Sequence, residues 1–246
     1  MENLFFLLYA ILIGSSFASH LRFGTIFWQP VSNSTNSVTM LVTHSWAWRL
    51  TYDSTTYCDN TVISSGTLMG INDDLLCDVG CFQFNQVVGD TRMYCTAFST
   101  TDDWSMGYRS YNVIFPITSN AEIYYQNIAW VTLQTGGTGT WSVRAKINTE
   151  VRSDIGKINS SPLTSSAPSY CIRHGYSYQI VLPIADPNPT DDLRCRWSSK
   201  TPTDECGSIC GVLNSIANLT YSKSSAGYQC VINFNSALAI ASSSGG

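Results

Sequence analysis

The sequence predicts an all-β protein made of two antiparallel β-sandwich-like domains in tandem, stapled by disulfides. Short runs rich in Val, Ile, Thr, Tyr and Phe recur between turn residues, a pattern typical of strands. No window of helical length keeps an apolar period of about 3.6 residues. The nine cysteines form two groups separated by residues 96–170, and we therefore expect each group to staple its own domain.

Residues 1–18 predict a signal peptide. Leu4–Ile13 is an unbroken apolar run that is too short to cross a bilayer as a helix. Small residues follow it, and Ser16 and Ala18 have the spacing of a cleavage site before Ser19. We therefore expect a secreted, extracellular chain with no membrane span, which folds where disulfides form.

The first domain is predicted over residues 19–160 and a second, smaller one over residues 168–246. The linker at residues 161–167 falls in a Ser- and Pro-rich stretch with few side chains to bury. A glycine-rich segment, Gln134–Gly139, predicts a hairpin turn. No clear closing strand follows Asn235, so we expect the second domain either to keep an open sheet edge or to lack its last strand because the chain is a fragment.

The strands are placed where apolar and β-branched residues cluster between turn signals. Each of these runs has the length of a strand and is short for an amphipathic helix. The predicted strands are Leu21–Trp28, Val38–His44, Met93–Phe98, Tyr108–Ile117, Glu122–Tyr125, Trp130–Leu133 and Trp141–Ile147 in the first domain, and Ser177–Ala185, Leu193–Ser198 and Tyr228–Asn235 in the second.

Grouped cysteines in a secreted chain favour disulfides, although spacing does not determine which cysteine bonds to which. Two C-x-x-x-C pairs leave zinc as the alternative, but an oxidising compartment favours disulfides over zinc-bound thiolates. Cys171 is the candidate for a free or intermolecular thiol, because it lies between the linker and the first strand of the second domain. The disulfide candidates are Cys58, Cys77, Cys81, Cys95, Cys195, Cys206, Cys210 and Cys230.

Three sequons predict N-glycosylation in the secretory route, at Asn33, Asn159 and Asn218. Each lies in a predicted turn, near the linker or at a strand edge, and a sequon requires only exposure. Pro162, just beyond the second sequon, lowers the occupancy expected at Asn159.

The loop at residues 186–192 gathers hard oxygen ligands. The carboxylates of Asp186, Asp191 and Asp192 are of the type that calcium binds. Two prolines, and side chains that bond to their own backbone, also explain a tight turn there. Because the spacing matches no EF-hand, we predict no metal and no cofactor, with calcium at these three carboxylates as the alternative.

Composition and motifs argue against nucleic-acid binding and catalysis. The net charge is −4, and no basic stripe is present to neutralise phosphates. Serine-hydrolase and zinc-protease motifs are absent, the three histidines are widely spaced, and no pair of carboxylates forms a glycosidase motif. We therefore predict a protein that binds or builds structure, not an enzyme.

The aromatic residues raise a carbohydrate-binding alternative. Tryptophan faces suit pyranose rings, although tryptophans in β proteins are more often core residues. Trp46 and Trp48 alternate across a predicted strand beside Arg49, and on this interpretation one of the two faces outward and stacks on sugar.

Several segments of the mature chain form specific motifs. It opens with His20–Pro30, later carries Leu193–Trp197 followed by Glu205–Gly207, and contains Asp102–Ser105 and Val151–Pro162 between them. Together they resemble a poorly characterised module of invertebrate extracellular proteins, whose copies open with H-F-R-G-G-T and carry D-P-D-G-D-x-V-R-C-R-W later. The resemblance implies an extracellular protein without an assigned biochemical activity. This chain lacks the double glycine, and its altered acidic motif weakens any inherited cation site.

We predict a secreted glycoprotein with a structural, adhesive or recognition role, whose partners are extracellular proteins or further copies of itself. An open sheet edge offers unpaired backbone groups, so the edge and the odd cysteine favour assembly into dimers or filaments. The alternative function is a lectin-like module that binds glycans.

Overall fold

The computed structural model describes residues 20–117, 119–128, 130, 139–171, 176–188, 190–224 and 227–235. Over these residues the chain is all-β, and every pair of named strands is antiparallel, which confirms the predicted fold class. The strands are β1 Leu21–Asn33, β2 Ser37–Arg49, β3 Leu68–Met69, β4 Asp74–Val79, β5 Gln86–Asp90, β6 Met93–Ser99, β7 Trp104–Pro116, β8 Asn120–Asn127, β9 Trp141–Asn148, β10 Leu163–Thr164, β11 Ser177–Ala185, β12 Ala217–Ser224 and β13 Gly227–Asn235. The helical elements are α1 Asn60–Ser65 and a 3-10 turn at Gly207–Ile209.

The N-terminal part of the chain is a two-sheet sandwich. One sheet has the strand order β1-β2-β7-β6-β3, and the other has the order β5-β4-β8-β9. Aromatic rings join the two sheets: Trp46 on β2 meets Tyr125 on β8 at 5.3 Å, and Tyr125 meets Trp141 on β9 at 4.8 Å, edge to face. These three residues belong to one hydrophobic core that both sheets share.

Strand β2 contributes the largest share of that core. It pairs with β1 along one edge and with β7 along the other, so neither edge meets solvent. Side chains two residues apart on a strand lie on the same face. The even-numbered residues of β2 therefore form one inner face that is fully buried: Val38, Met40, Val42, His44, Trp46 and Trp48.

Helix α1 is the one α-helix in the described residues, and it was not predicted from the sequence. Asp59 caps its N-terminus by accepting a hydrogen bond from the Val62 amide at 2.9 Å. Gly66 ends it in the left-handed region, at φ 64°. With less than two turns, the helix is too short to show an apolar period. The adjacent Cys58 bonds to Cys95 and fastens this segment to β6.

The C-terminal part of the chain forms one four-stranded sheet of order β10-β11-β13-β12. Exposure alternates along β11, with one face half-buried and the other exposed. The disulfide Cys195–Cys230 holds the segment Leu193–Trp197 against the half-buried face. Between segment and sheet lies an apolar groove of about 300 Å³ that Leu182 and Ile232 help to line.

Hydrogen bonds attach the C-terminal part of the chain to the sandwich. Ser161, the first residue of the predicted linker, is buried; its hydroxyl accepts from the Trp28 amide at 2.9 Å, and its own amide donates to the Trp28 carbonyl at 2.8 Å. Ser208 donates to the Thr140 carbonyl at 2.9 Å. The 3-10 turn thus lies against the start of β9.

The structure corrects the predicted strands at several places. Leu193–Ser198 lies outside every sheet, because its side chains hold it: Cys195 is in a disulfide, and Arg196 pairs with Glu205 at 2.6 Å. Strand β12 was not predicted, since its sequence is polar. Trp130 forms only an isolated bridge to Leu21, and residues 131–133 lie outside the described residues. The short strands β3, β4, β5 and β10 also gave no recognisable pattern.

Three further predictions fall on residues that the structure does not describe: the signal peptide at residues 1–18, the hairpin turn at residues 134–138, and the chain after Asn235. Among the described residues, none of the helical segments has the length and apolar character needed to cross a bilayer.

Candidate binding surface

A hairpin between β4 and β5 displays the two most exposed large hydrophobic side chains of the described residues. Phe82 is 62% exposed and Phe84 is 76% exposed. Val79 and Val87, at the two ends of the turn, are also more than half exposed. We call these four residues the aromatic hairpin. Single exposed hydrophobics are ordinary, but four exposed apolar side chains on one hairpin favour a contact site.

The turn is held in shape by covalent and backbone constraints. Cys77 on β4 bonds to Cys81, which closes a small ring immediately before Phe82. Gly80 has φ 71°, and a Cβ there would lie 2.5 Å from the Asn120 carbonyl oxygen on β8, so only glycine fits this close approach. The disulfide and Gly80 both lie on the N-terminal side of the two phenylalanines.

The C-terminal side of the turn is fixed by side-chain hydrogen bonds. The Phe82 amide donates to Gln86 Oε1 at 3.1 Å. Asn85 occupies the left-handed region at φ 53°, and its Oδ1 accepts from the Tyr124 hydroxyl at 3.2 Å. Asparagine is among the few residues that tolerate this backbone conformation. The two aromatic rings are therefore presented by a preorganised loop, which lowers the entropy lost on binding.

A charged cluster lies near the hairpin, on the outer face of the sheet β5-β4-β8-β9. Arg144 pairs with Glu122 at 2.9 Å and with Asp78 at 3.6 Å, and its guanidinium lies 4.6 Å from the centre of the Tyr124 ring. Its Nε also donates to the Asp204 carbonyl at 2.8 Å. Two carboxylates thus surround one cation. The base of the hairpin has no excess positive charge to attract an anionic surface.

The surface has the chemistry of an apolar anchor. Each phenylalanine that is buried on binding removes roughly 100 Å² or more of apolar area from water, which at about 25 cal/mol per Å² is worth about 2–3 kcal/mol before the costs of association. The hairpin presents no nucleophile beside a base. What it can do is insert two rings into a complementary pocket.

This site was not predicted from the sequence. The signal was present in Cys81-Phe-Gln-Phe-Asn85, where two phenylalanines alternate with polar residues directly after a cysteine of a C-x-x-x-C pair. Such a pattern also suits an ordinary buried strand, because sequence alone does not tell which face is covered.

The eight candidate cysteines form four disulfides in the structure: Cys58–Cys95, Cys77–Cys81, Cys195–Cys230 and Cys206–Cys210. Cys171 is exposed and unbonded, with its sulfur 3.8 Å from an Asp102 carboxylate oxygen. Asp204, Cys206 and Cys210 come within 4.8 Å of one another, the one metal-like group in the described part of the chain. Since both of its sulfurs are in one disulfide, no thiolate remains there for zinc.

The three sequons have different surroundings. Asn33 is exposed at the end of β1, and Asn218 is exposed in β12. Asn159 is half-buried, and its Oδ1 accepts from Arg152 at 2.7 Å. The next two residues, Ser160 and Ser161, are buried. Exposure therefore favours glycosylation at Asn33 and Asn218 over glycosylation at Asn159.

The calcium alternative gains no converging ligand set in the part of the chain that the structure describes. Asp191 pairs with Arg152, and Asp192 pairs with Arg194 at 2.8 Å. Asp186 accepts from the Asn188 amide at 2.6 Å through one oxygen, while its other oxygen is buried without a hydrogen-bond partner. Burial raises the pKa of Asp186 above its usual range. Arg152 and Arg194 therefore neutralise Asp191 and Asp192, the carboxylates that a calcium ion would need.

The expectation that Trp46 or Trp48 faces outward is wrong. Both side chains are 0% exposed. Residues two apart on a strand share a face, and this face of β2 is covered by the second sheet. Neither ring is available to stack on a sugar.

Comparisons with known proteins place this chain among named relatives. The family model described as integrin beta-like protein A-E, N-terminal, matches residues 22–150. The chain is also similar to the integrin beta-like protein C of Dictyostelium discoideum, with 26% identity over 180 residues that cover 68% of this chain and 8% of that protein. It thus spans a small fraction of that relative's length. No solved structure matches.

Proposed function

The chain belongs to the integrin beta-like protein A-E family through its N-terminal region, and from that premise we propose that it is an extracellular adhesion protein whose aromatic hairpin contacts a partner. The hairpin lies inside residues 22–150, the part that the family model matches. The observation that carries the proposal is the exposure of Phe82 and Phe84 on a turn that a disulfide and a crowded glycine hold in place.

The chemistry of the hairpin favours a protein partner with an apolar pocket. Binding hot spots are aromatic side chains that enter desolvated pockets, surrounded by polar contacts that exclude water. Here Gln83 and Asn85, which alternate with the two phenylalanines in the turn, are exposed and supply polar groups for such a surround. Adhesion to an anionic lipid surface fits less well, because lipid binding relies on an excess of Lys and Arg.

The location and modifications belong to the same proposal. We place the protein outside the cell, with glycans on its exposed sequons and its four disulfides formed in the secretory route. The predicted signal peptide and the family's printed name, integrin beta-like, support this location. The role is binding, without a catalytic step.

Adhesion of coated beads tests this function. Beads coated with the secreted chain are added to Dictyostelium discoideum cells, the organism of the similar protein, with albumin-coated beads as background. We expect the chain to raise adhesion above background, and Phe82→Ser with Phe84→Ser to return it to background. Wild-type beads that adhere no better than albumin would contradict the proposal.

A matched control separates the hairpin from general surface hydrophobicity. Ile114 is 52% exposed on β7, in the other sheet of the sandwich. Ile114→Ser removes a comparable exposed side chain, and we expect it to adhere like the wild type. Equal losses in this variant and in the phenylalanine double variant would show that the hairpin has no special role.

A second candidate function, carbohydrate binding, keeps one observation in its favour. Tyr94 and Tyr108 are direct cross-strand partners on β6 and β7, and both are about half exposed. Thr96 and Ser110, exposed on the same face, add hydroxyl groups. Retardation of the chain in gels that contain a neutral polysaccharide, lost in Tyr94→Ala with Tyr108→Ala, would favour this function over protein binding.

A further inference from the structure

Strand β12 forms an edge of the C-terminal sheet that lacks the usual protections. In the described sheet it pairs with β13 alone. Its register runs unbroken from Ala217 opposite Phe234 to Ser224 opposite Gly227, without a bulge. It contains no proline. Bulges, prolines and charged side chains are the devices by which natural sheets prevent edge-to-edge pairing.

The single charge on this strand is directed back onto its own sheet. Lys223 is the one charged residue of β12. Its ammonium lies 4.7 Å from the centre of the Tyr228 ring on β13. A lysine held in this cation–π contact is a poor barrier to a second strand. Among the described residues the edge is therefore regular, nearly neutral and not covered by another strand.

The same strand carries the sequon Asn218-Leu219-Thr220. Asn218 and Thr220 are exposed and share the outer face, whereas Leu219 points to the apolar groove on the other face. The outer face beside them is polar and uncharged: Asn233 donates to Thr220 Oγ1 at 3.3 Å, and Gln179 donates to Asn233 Oδ1 at 2.9 Å. A sugar attached at Asn218 would lie along hydrogen-bonding groups and would leave the groove free.

We propose that Asn218 carries an N-linked glycan that shields the β12 edge and keeps two copies of the chain from pairing through it. A glycan is bulky and strongly hydrated. Attached within the strand, it blocks the approach of a second strand sterically, where a lysine would do so by charge. Without it, β12 of one copy would pair with β12 of another, since the same unprotected edge is present in each.

This inference depends on the extracellular location in the proposed function, because N-glycans are added in the secretory route. It does not depend on the hairpin, which lies in the other part of the chain. Asn33 is exposed in the sandwich and serves as an internal reference for passage through that route.

The experiment compares secreted variants in a Cys171→Ser background, so that thiol dimers do not contribute. Peptide mass mapping reports whether Asn33 and Asn218 carry glycans, and analytical ultracentrifugation reports the association state over a hundredfold range of concentration. We expect the parent to be glycosylated at Asn218 and monomeric. We expect Asn218→Gln to form dimers at the upper concentrations.

Two further variants distinguish edge pairing from misfolding. Asn218→Lys removes the glycan but adds a lysine to the edge. The lysines of two paired copies would repel each other, and we therefore expect this variant to stay monomeric. Thr220→Ser preserves both the sequon and the hydroxyl, and we expect a glycosylated monomer. If Asn218→Gln is not secreted, Thr220→Ala removes the sequon independently, and we expect it to form dimers.

The outcomes separate this inference from the proposed function. A glycan at Asn33 with none at Asn218, or an unglycosylated Asn218→Gln that remains monomeric at the highest concentration, would overturn the edge-shielding role alone. Retention of the chain inside the cell with no sequon occupied would overturn the role and the extracellular location together.

Discussion

The imidazole of His44 stacks on the indole of Trp46, with ring centres 5.4 Å apart, inside the sandwich core. His44 is fully buried, and neither of its nitrogens has a hydrogen-bond partner among the described residues. Burial lowers the pKa of His44 to about 4, and this effect exceeds the opposing attraction of the nearby Asp90. The core thus contains a base that stays neutral until strongly acidic conditions.

This burial predicts a loss of stability in acid. The pKa of His44 is lowered on folding, so below about pH 6.5 the unfolded chain binds a proton that the folded chain excludes. The free energy of unfolding falls as the pH drops from about 6.5 to about 4, by up to about 3 kcal/mol. Urea denaturation at pH 7, 5.5 and 4.5 measures the fall. His44→Leu should flatten it, and an equal slope in both proteins would contradict the prediction.

A pair of glycine substitutions tests the geometry of the aromatic hairpin. Gly80 and Gly66 both have positive φ, but a Cβ at Gly80 meets the β8 backbone, whereas one at Gly66 meets nothing within 4 Å. Gly66→Ala should cost about 1 kcal/mol from the backbone conformation alone. Gly80→Ala should cost at least about 2 kcal/mol more and reduce bead adhesion, since β8 and the hairpin must separate. Thermal denaturation measures both, and equal costs would refute the close approach.

Hydrogen bonds to the Asp103 carboxylate connect the turn before β7 to the end of β2. Its carboxylate accepts from Arg49 Nε at 2.9 Å and from the Thr51 amide at 2.9 Å, and these contacts lower the pKa of Asp103 although partial burial opposes them. Its backbone has φ 55°. Asp103→Asn preserves a side chain suited to that φ but loses the charge, while Asp103→Ala loses both. We expect alanine to destabilise by about 2 kcal/mol and asparagine by about half of that. Chemical denaturation at pH 7 measures this order, and the reverse order would contradict the assignment.

The cysteine pairing predicts one reactive thiol in the native chain. Iodoacetamide should label Cys171 alone, because it is exposed and the other eight cysteines are in disulfides. Peptide mapping of the non-reduced, labelled protein should recover the four bonded pairs. Label at Cys77 or Cys81 would show that the ring beneath the aromatic hairpin is open, and Cys171→Ser provides the unlabelled control.

The sequence by itself determined the fold class and most of the long strands. Val38–His44 lies within β2, and Trp141–Ile147 lies within β9, because alternation of apolar and polar residues is a local property of a half-buried strand. Cysteine grouping likewise indicated which cysteines would be bonded. The predictions failed in two ways: β12 was missed because its sequence is polar, and Leu193–Ser198 has a strand-like composition but is held outside the sheets by a disulfide and an ion pair.

Only the tertiary structure decided which faces are covered. Trp46 and Trp48 lie inside because the sheet that contains Tyr125 and Trp141 packs over them, whereas Phe82 and Phe84 lie in the turn between β4 and β5 and stay exposed. The two pairs have similar composition and the same two-residue spacing. Their burial depends on contacts between segments far apart in sequence, and such contacts leave no periodic signal in either segment. The candidate binding surface, and the strands β4 and β5 that carry it, therefore came from the structure, whereas most of the long strands came from local pattern.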